Sequence, residues 1–169
     1  MLKNYSQVGQ DLFVLNRFIP NHRGTWVDIG CRLPFEINNT LLLEENGWRG
    51  INIDIDDYAA EWMARKTPFV RADALTLDYK ALFQQYQMPE VIDYLSLDIE
   101  GDGDRYKALQ KVMESGYKFN VITIEHDAYR GFNESERMPQ RELLTRLGYT
   151  LLVPDVYCGG APFEDWWIK

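Results

Sequence analysis

The sequence predicts an α/β fold, a three-layer sandwich in which helices cover both faces of a mostly parallel sheet. Runs rich in β-branched and aromatic residues alternate with helix-like segments along the whole chain. Alternation at this spacing implies right-handed crossovers between parallel strands. The predicted strands are 24–29, 51–55, 69–72, 91–97, 121–125 and 149–153, and the tail, 163–168, is expected to add a last edge strand.

Capping and stop residues mark the helices between these strands. Asn38 or Asn39 can cap a helix that stops at Gly47, and Asp78 can cap another that ends near Met88. The predicted helices are 41–46, 58–66, 78–88, 104–115 and 139–147. In folds of this kind ligands bind outside the carboxyl ends of the strands, where the strand order reverses. Candidate site residues are therefore expected at those ends.

Composition limits the class of protein. With 169 residues, 46% of them hydrophobic and 26% charged, the chain fits a single globular domain over 1–169. No apolar run approaches the ~20 residues that span a bilayer, so we predict no membrane partner. The first residues lack a secretory apolar stretch, and the two cysteines form no spaced framework. We therefore expect a cytoplasmic protein.

The charge balance excludes one large class of substrate. The chain has 18 Lys and Arg against 26 Asp and Glu, a net charge of −8. Binding to a phosphate backbone needs clustered cations. We therefore predict no nucleic-acid partner.

Carboxylates stand at the ends of five successive predicted strands. They are Asp28, Asp54, Asp73, Asp98 and Glu125. Because parallel strands end at one edge of a sheet, these side chains should form a ring there. A carboxylate after the second strand can accept hydrogen bonds from both hydroxyls of a ribose, and Asp54 holds that position, with Asp56 as the close competitor.

The turn after the first strand contains one glycine, Gly30, in the segment 30–35 (GCRLPF). A dinucleotide site needs the spacing Gly-x-Gly-x-x-Gly so that the backbone can approach a pyrophosphate. The missing glycines exclude NAD, FAD and a Walker-type nucleotide. A nucleoside ligand without phosphates, with an amino-acid end, remains compatible with this turn.

Six segments in order resemble the FkbM family of methyltransferases and together cover nearly the whole chain. They are 5–14 (YSQVGQDLFV), 24–30 (GTWVDIG), 39–44 (NTLLLE), 47–51 (GWRGI), 93–101 (DYLSLDIEG) and 121–126 (VITIEH). The resemblance implies a class I, Rossmann-like methyltransferase fold with S-adenosylmethionine as cofactor. It also implies methylation of a hydroxyl on a sugar or small metabolite.

The resemblance also assigns residues to parts of the cofactor. Asp28 and Gly30 would shape the methionine end, Asp54 the ribose, Asp73 the adenine side and Asp98 the floor of the site. The matched segment 39–44 adds Asn39 to this predicted cofactor site. The chain departs from the family at Leu33-Pro34, where many members have Asp-Gly. A non-catalytic binding protein with a degenerate cofactor loop is therefore the alternative.

A hydroxyl needs a general base to attack a methyl group at neutral pH. We predict His126 as that base, oriented by Glu125 or Asp98, because its ordinary pKa lies near operating pH. The alternative is that His126 only forms hydrogen bonds in its loop. We predict no metal, and the rival reading is a metal-dependent hydrolase with an ion held by Asp98, Glu100 and Glu125.

The acceptor is expected beside the loop after the fifth strand. Tyr129 and Arg130 in that loop suit stacking on a sugar and pairing with an anion. Gln7 and Gln10 could reach over the cofactor as a small lid. The expected acceptor is a small hydroxylated molecule, a carbohydrate in the first instance, and a homodimer could complete the short chain's acceptor pocket.

Overall fold

The computed structural model describes residues 3–169, and its elements follow the predicted alternation. The strands are β1 (Thr25–Ile29), β2 (Arg49–Asp54), β3 (Phe69–Arg71), β4 (Val91–Leu97), β5 (Lys118–Glu125), β6 (Thr150–Cys158) and β7 (Ala161–Ile168). The helices are α1 (Gln10–Leu15), α2 (Leu41–Glu45), α3 (Ala59–Trp62), α4 (Tyr79–Gln85), α5 (Asp104–Glu114) and α6 (Met138–Arg146). A 3-10 turn at Ala128–Arg130 and a π-helical turn at Asn133–Arg137 connect β5 to α6.

The strands form one sheet in the order β3-β2-β1-β4-β5-β7-β6. The first five strands in this order pair in parallel, and β7 runs antiparallel to both of its neighbours. The chain proceeds outward from β1 through β2 to β3 and then returns to β4 on the other side of β1. The order therefore reverses between β1 and β4, which is where a ligand is expected.

Both faces of the central strands are covered, as a parallel sheet requires. On one face Val27, Ile29 and Leu95 join a large core with α4 and α5. On the other face the alternate residues Trp26 and Tyr94 join a second cluster of buried side chains. Helices on both faces of a mostly parallel sheet confirm the predicted α/β three-layer architecture.

The C-terminal strands differ from the prediction. The tail was expected at the edge of the sheet, but β7 lies inside it, between β5 and β6, and β6 forms the edge. Gly159 and Gly160 have φ angles of 59° and 86° and make a two-residue turn between paired Cys158 and Ala161. A Gly-Gly turn of this kind closes a β-hairpin, so β6 and β7 are long antiparallel partners.

The helices are shorter or differently capped than predicted. Asp78 caps α4 as expected, because its Oδ1 accepts the Ala81 N–H at 2.9 Å. The predicted helix 58–66 ends at Trp62, whose indole N–H donates to the carbonyl of Arg32 at 2.7 Å. Tertiary contacts therefore determine where α3 stops. None of the helices in 3–169 is long and apolar enough to cross a membrane.

Candidate functional site

The turn after β1 packs directly against the end of β4. Gly30 has a φ of 83°, and a Cβ added to it would lie 1.7 Å from the carbonyl oxygen of Asp98. Any other side chain would push these two strand ends apart. The Gly30 N–H donates to the Ile53 carbonyl at 2.8 Å, which ties the same turn to β2. The ends of three strands are thereby held together at the reversal of the strand order.

A cavity of about 660 Å³ lies at this edge of the sheet. Its volume is in the range of small-molecule and cofactor sites. Four of the five predicted strand-end carboxylates line it, and Asp28 lies on a second cavity of about 230 Å³. Gln7, Gly30, Arg32 and Asp98 line both cavities. The structure therefore brings the strand-end acids to one composite cavity.

Backbone groups fix the carboxylates after β2 and β3. The Oδ2 atom of Asp54 accepts the Arg32 N–H at 2.9 Å, and its Oδ1 accepts the Asp56 N–H at 3.0 Å. The Oδ1 atom of Asp73 accepts the Leu75 N–H at 2.8 Å. A carboxylate oxygen has two acceptor positions, so each retains capacity to accept from a ligand hydroxyl or amine.

The second cavity contains the other predicted cofactor residues. Asp28 is buried, and loss of hydration raises its pKa to about 7, against the opposing effect of a hydrogen bond with Ser96. The side-chain amide of Asn39 donates to the Ser96 hydroxyl at 3.0 Å, which places Asn39 beside Asp28. Gln10 lines this cavity as well, and its Oε1 accepts the Val8 N–H.

Asp98 faces both cavities and is only partly exposed. Loss of hydration raises the pKa of its carboxyl to about 6, and the nearby Arg105 works in the opposite direction. Repulsion from Asp127 and Glu100 adds to the increase. An acid with this pKa changes its protonation state near neutral pH, which is the range in which a general base works best.

Arg105 is a site residue that the sequence interpretation missed. It is fully buried, and its Nη2 atom lies 3.1 Å from Oε2 of Glu125 and 3.0 Å from Oδ2 of Asp127. The sequence did contain a signal, because Arg105 shares a helix face with Ala108, Leu109 and other buried residues. Glu125 lines the larger cavity but is already paired with this guanidinium.

His126 does not lie where the predicted mechanism needs it. Its side chain is fully buried, and it lines neither cavity. Its Nδ1 accepts the Ala128 N–H at 3.2 Å, and its Nε2 lies 3.5 Å from Asp155 and 3.6 Å from Asp165. The prediction that Glu125 or Asp98 orients His126 is therefore wrong, because the hairpin of β6 and β7 supplies its acidic neighbours. This position also gives an acceptor hydroxyl no access to the imidazole.

The predicted acceptor residues lie at the mouth of the cavities. Tyr129 and Arg130 line the larger one, and both are about half exposed. Arg130 pairs with Glu100 at 3.3 Å, across the cavity rim. Gln7 lines both cavities, and its amide donates to Sγ of Cys158 at 3.0 Å. The N-terminal segment thus contacts the β6 end of the hairpin above the site.

The acid clusters do not favour the metal-dependent hydrolase. Beside Glu125 the position of a cation is taken by the guanidinium of Arg105. One ligand atom each from His126, Asp155 and Asp165 lies within 4.8 Å of the others. There, however, Nη2 of Arg141 lies 2.9 and 2.8 Å from the two aspartates. A divalent ion at either place would lie beside an arginine guanidinium and be repelled by its positive charge.

No family model and no curated protein matches the sequence. Solved structures match over nearly the full chain. The O-methyltransferase TomG of Streptomyces achromogenes, involved in tomaymycin synthesis and solved in complex with S-adenosylmethionine, superposes with a TM-score of 0.66. The two sequences are 13% identical, and the match covers 94% of this chain and 78% of TomG.

Two further structures cover all of this chain. SMU.1697c of Streptococcus mutans, solved with S-adenosylhomocysteine, has a TM-score of 0.60 and 12% identity over 99% of its own length. An rRNA methylase of Streptococcus thermophilus has a TM-score of 0.53 and 14% identity over 98% of its length. At such identities the likeness shows the fold alone. The chain has the class I, Rossmann-like methyltransferase fold.

Proposed function

We propose that this chain is an S-adenosylmethionine-dependent methyltransferase of the FkbM type that methylates a hydroxyl on a sugar or small metabolite. The observation that carries the proposal is the composite cavity at the reversal of the strand order. Asp54 and Asp73 line it at the ends of adjacent strands, each fixed by backbone N–H groups and ready to accept from a ligand. Such a pair suits a ribose and the amino group of an adenine.

The residues present fit the cofactor. Asp54 would hold the ribose hydroxyls, and Asp73 with Ala74 and Leu75 would border the adenine. Gly30 lines both cavities without a side chain, and Asp28 and Asp98 are placed to supply negative charge for the cationic methionine end. When bound, S-adenosylmethionine supplies an electrophilic methyl group on a sulfonium. The chain's part is to bind it, position the acceptor and remove a proton.

Asp98 replaces His126 as the proposed base. Its carboxyl faces both cavities, and its raised pKa lets it hold a proton near neutral pH. Glu125 would not serve as the base, because Arg105 already balances its charge. Tyr129, Arg130 and Gln7 at the mouth would contact a hydroxylated acceptor. An aromatic ring, a guanidinium and an amide at this mouth support a sugar or small metabolite as acceptor.

The Leu33-Pro34 departure leaves the cavities open. Pro34 is buried and lines neither cavity, and its carbonyl accepts from Arg65 at 2.7 Å. Leu33 borders the smaller cavity without closing it. This geometry supports a binding-competent protein over one with an occluded loop.

Calorimetric titration with S-adenosylmethionine and S-adenosylhomocysteine tests the proposal. Asp54→Ala should weaken the binding of both ligands by about ten- to a hundred-fold. This is the effect of losing a charged hydrogen bond worth ~1.5–3 kcal/mol. Asp57→Ala is the matched control, because Asp57 is exposed and lines neither cavity. Absence of binding by the folded wild-type chain would overturn the proposal.

A second test addresses the base. Once a sugar screen identifies an acceptor, Asp98→Asn should lower kcat by about 10²- to 10⁴-fold. The wild-type rate should fall below a pH of about 6, whereas the residual rate of the variant should not, because the titrating carboxyl is gone. Retention of the wild-type pH profile in Asp98→Asn would assign the base elsewhere.

A further inference from the structure

Arg32 combines an uncommon backbone conformation with a fixed position. Its φ of 47° lies in the left-handed region, which a residue with a side chain rarely adopts and glycine adopts freely. Its N–H donates to Asp54 at 2.9 Å, and its carbonyl accepts from Trp62 at 2.7 Å. The chain therefore places an arginine, firmly anchored, where a glycine would fit with less strain. Such a conformation points to a role for the side chain.

The charges around Arg32 are of one sign. The other charged residues of 3–169 that line the smaller cavity are Asp28, Glu36 and Asp98, all of them acidic. Arg32 is exposed, and no carboxylate in the described part of the chain lies within 4.0 Å of its guanidinium. Among residues 3–169 it is thus the one cation that this cavity offers to a ligand.

The side chain of Arg65, and not that of Arg32, holds the loop in place. Arg65 donates to the Pro34 carbonyl and to Oδ1 of Asn38, and it pairs with Glu44 at 3.0 Å. These contacts hold segment 34–38 from behind. Arg32 makes no comparable side-chain contact within 3–169, although it lines both cavities.

We propose that Arg32 binds the α-carboxylate at the methionine end of S-adenosylmethionine. The inference rests on the proposed function and adds a specificity residue to it. The methionine end carries a cationic ammonium and sulfonium, which suit Asp28 and Asp98, and one anionic carboxylate. A guanidinium binds a carboxylate through two parallel hydrogen bonds. Arg32 is the residue of the cavity with that chemistry.

Two ligands, one with and one without the amino-acid end of the cofactor, test the proposal by calorimetry. S-Adenosylhomocysteine has the carboxylate, whereas 5′-methylthioadenosine has the adenosine and sulfur without the amino-acid end. Arg32→Gln should weaken the binding of S-adenosylhomocysteine by about ten-fold or more, because a charge-assisted hydrogen bond is lost. Its affinity for 5′-methylthioadenosine should stay within about two-fold. Arg32→Lys, which keeps the charge, should restore part of the loss.

Arg146→Gln is the matched control for the change in net charge. Arg146 is exposed near the end of α6 and lines neither cavity, so both ligands should bind this variant as they bind the wild type. Equal weakening of both ligands in Arg32→Gln, or no weakening of either, would overturn the role of Arg32 and leave the cofactor proposal standing. Failure of both ligands to bind the wild type would overturn the two proposals together.

Discussion

Two groups of carboxylates in this molecule differ in how their charge is balanced. The cavity carboxylates, Asp54, Asp73 and Asp98, have no Lys or Arg nitrogen of 3–169 within 4.0 Å. The paired carboxylates are held by arginines that are wholly or largely buried. They are Glu125 and Asp127 on Arg105, and Asp155 and Asp165 on Arg141.

We propose that the difference separates ligand-binding carboxylates from structural ones. A buried charge that already has a partner contributes to one conformation and offers little to a ligand. A charged carboxylate at a cavity without a neighbouring cation raises the free energy of the unliganded chain. A ligand with hydroxyls, an amine or a sulfonium can lower that free energy by binding to it. Acids of the same type at the same edge of one sheet therefore serve different ends, and the arginines distinguish them.

Replacement of Arg105 should have the largest effect on stability. Arg105→Met leaves Glu125 buried without a cation and Asp127 with only the half-exposed Arg130 at 3.2 Å, and we expect the free energy of unfolding to fall by about 3–5 kcal/mol. Urea denaturation measures it. Lys107→Met, an exposed change on the same helix, should stay within about 0.5 kcal/mol.

A double variant isolates the charge from the lost packing. Adding Glu125→Gln to Arg105→Met removes the charge that is left without a cation and should recover part of the stability. If Arg105→Met cost less than about 1 kcal/mol, the value typical of surface pairs, the distinction between the two groups of carboxylates would fail.

His126 should behave as a structural residue in this comparison. His126→Ala removes a buried side chain and leaves the Ala128 N–H without its acceptor, so we expect a loss of about 2 kcal/mol. His126→Asn should lose less, because its Oδ1 can replace Nδ1 as the acceptor. Both variants should bind S-adenosylhomocysteine within two-fold of wild type by calorimetry. A stable variant with wild-type binding but no turnover would return His126 to the mechanism.

Local patterns predicted the strand-end carboxylates, Glu125 included, whereas long-range contacts determined which carboxylates are paired. Each strand end could be read from a few neighbouring residues, so Asp54 and Asp73 were placed correctly at the cavity. Arg141 meets Asp165 only because β7 lies between β5 and β6, and His126 meets the same aspartate. Nothing in the sequence near His126 indicates that pairing. The fold was therefore predictable from the sequence to a greater extent than the site.

Glu164 tests the comparison through the pH dependence of stability. It is buried on β7 and accepts from the indole N–H of Trp166, but no cation among 3–169 pairs with it. Burial raises its pKa from an ordinary value of 4.5 to about 8, and repulsion from Asp98 and Asp165 acts in the same direction. The folded chain thus keeps a proton that the unfolded chain releases above a pH of about 4.5.

Stability should therefore fall as pH rises from about 5 to about 8, because the folded state binds more protons over this range. Glu164→Gln keeps an oxygen for Trp166 and has no proton to lose. Its Tm should exceed that of wild type by at least several degrees more at pH 8 than at pH 5, because the wild-type proton is lost on unfolding over this range. Scanning calorimetry at both pH values measures the difference. An equal gain at the two values would mean that packing, and not an unbalanced charge, limits this position.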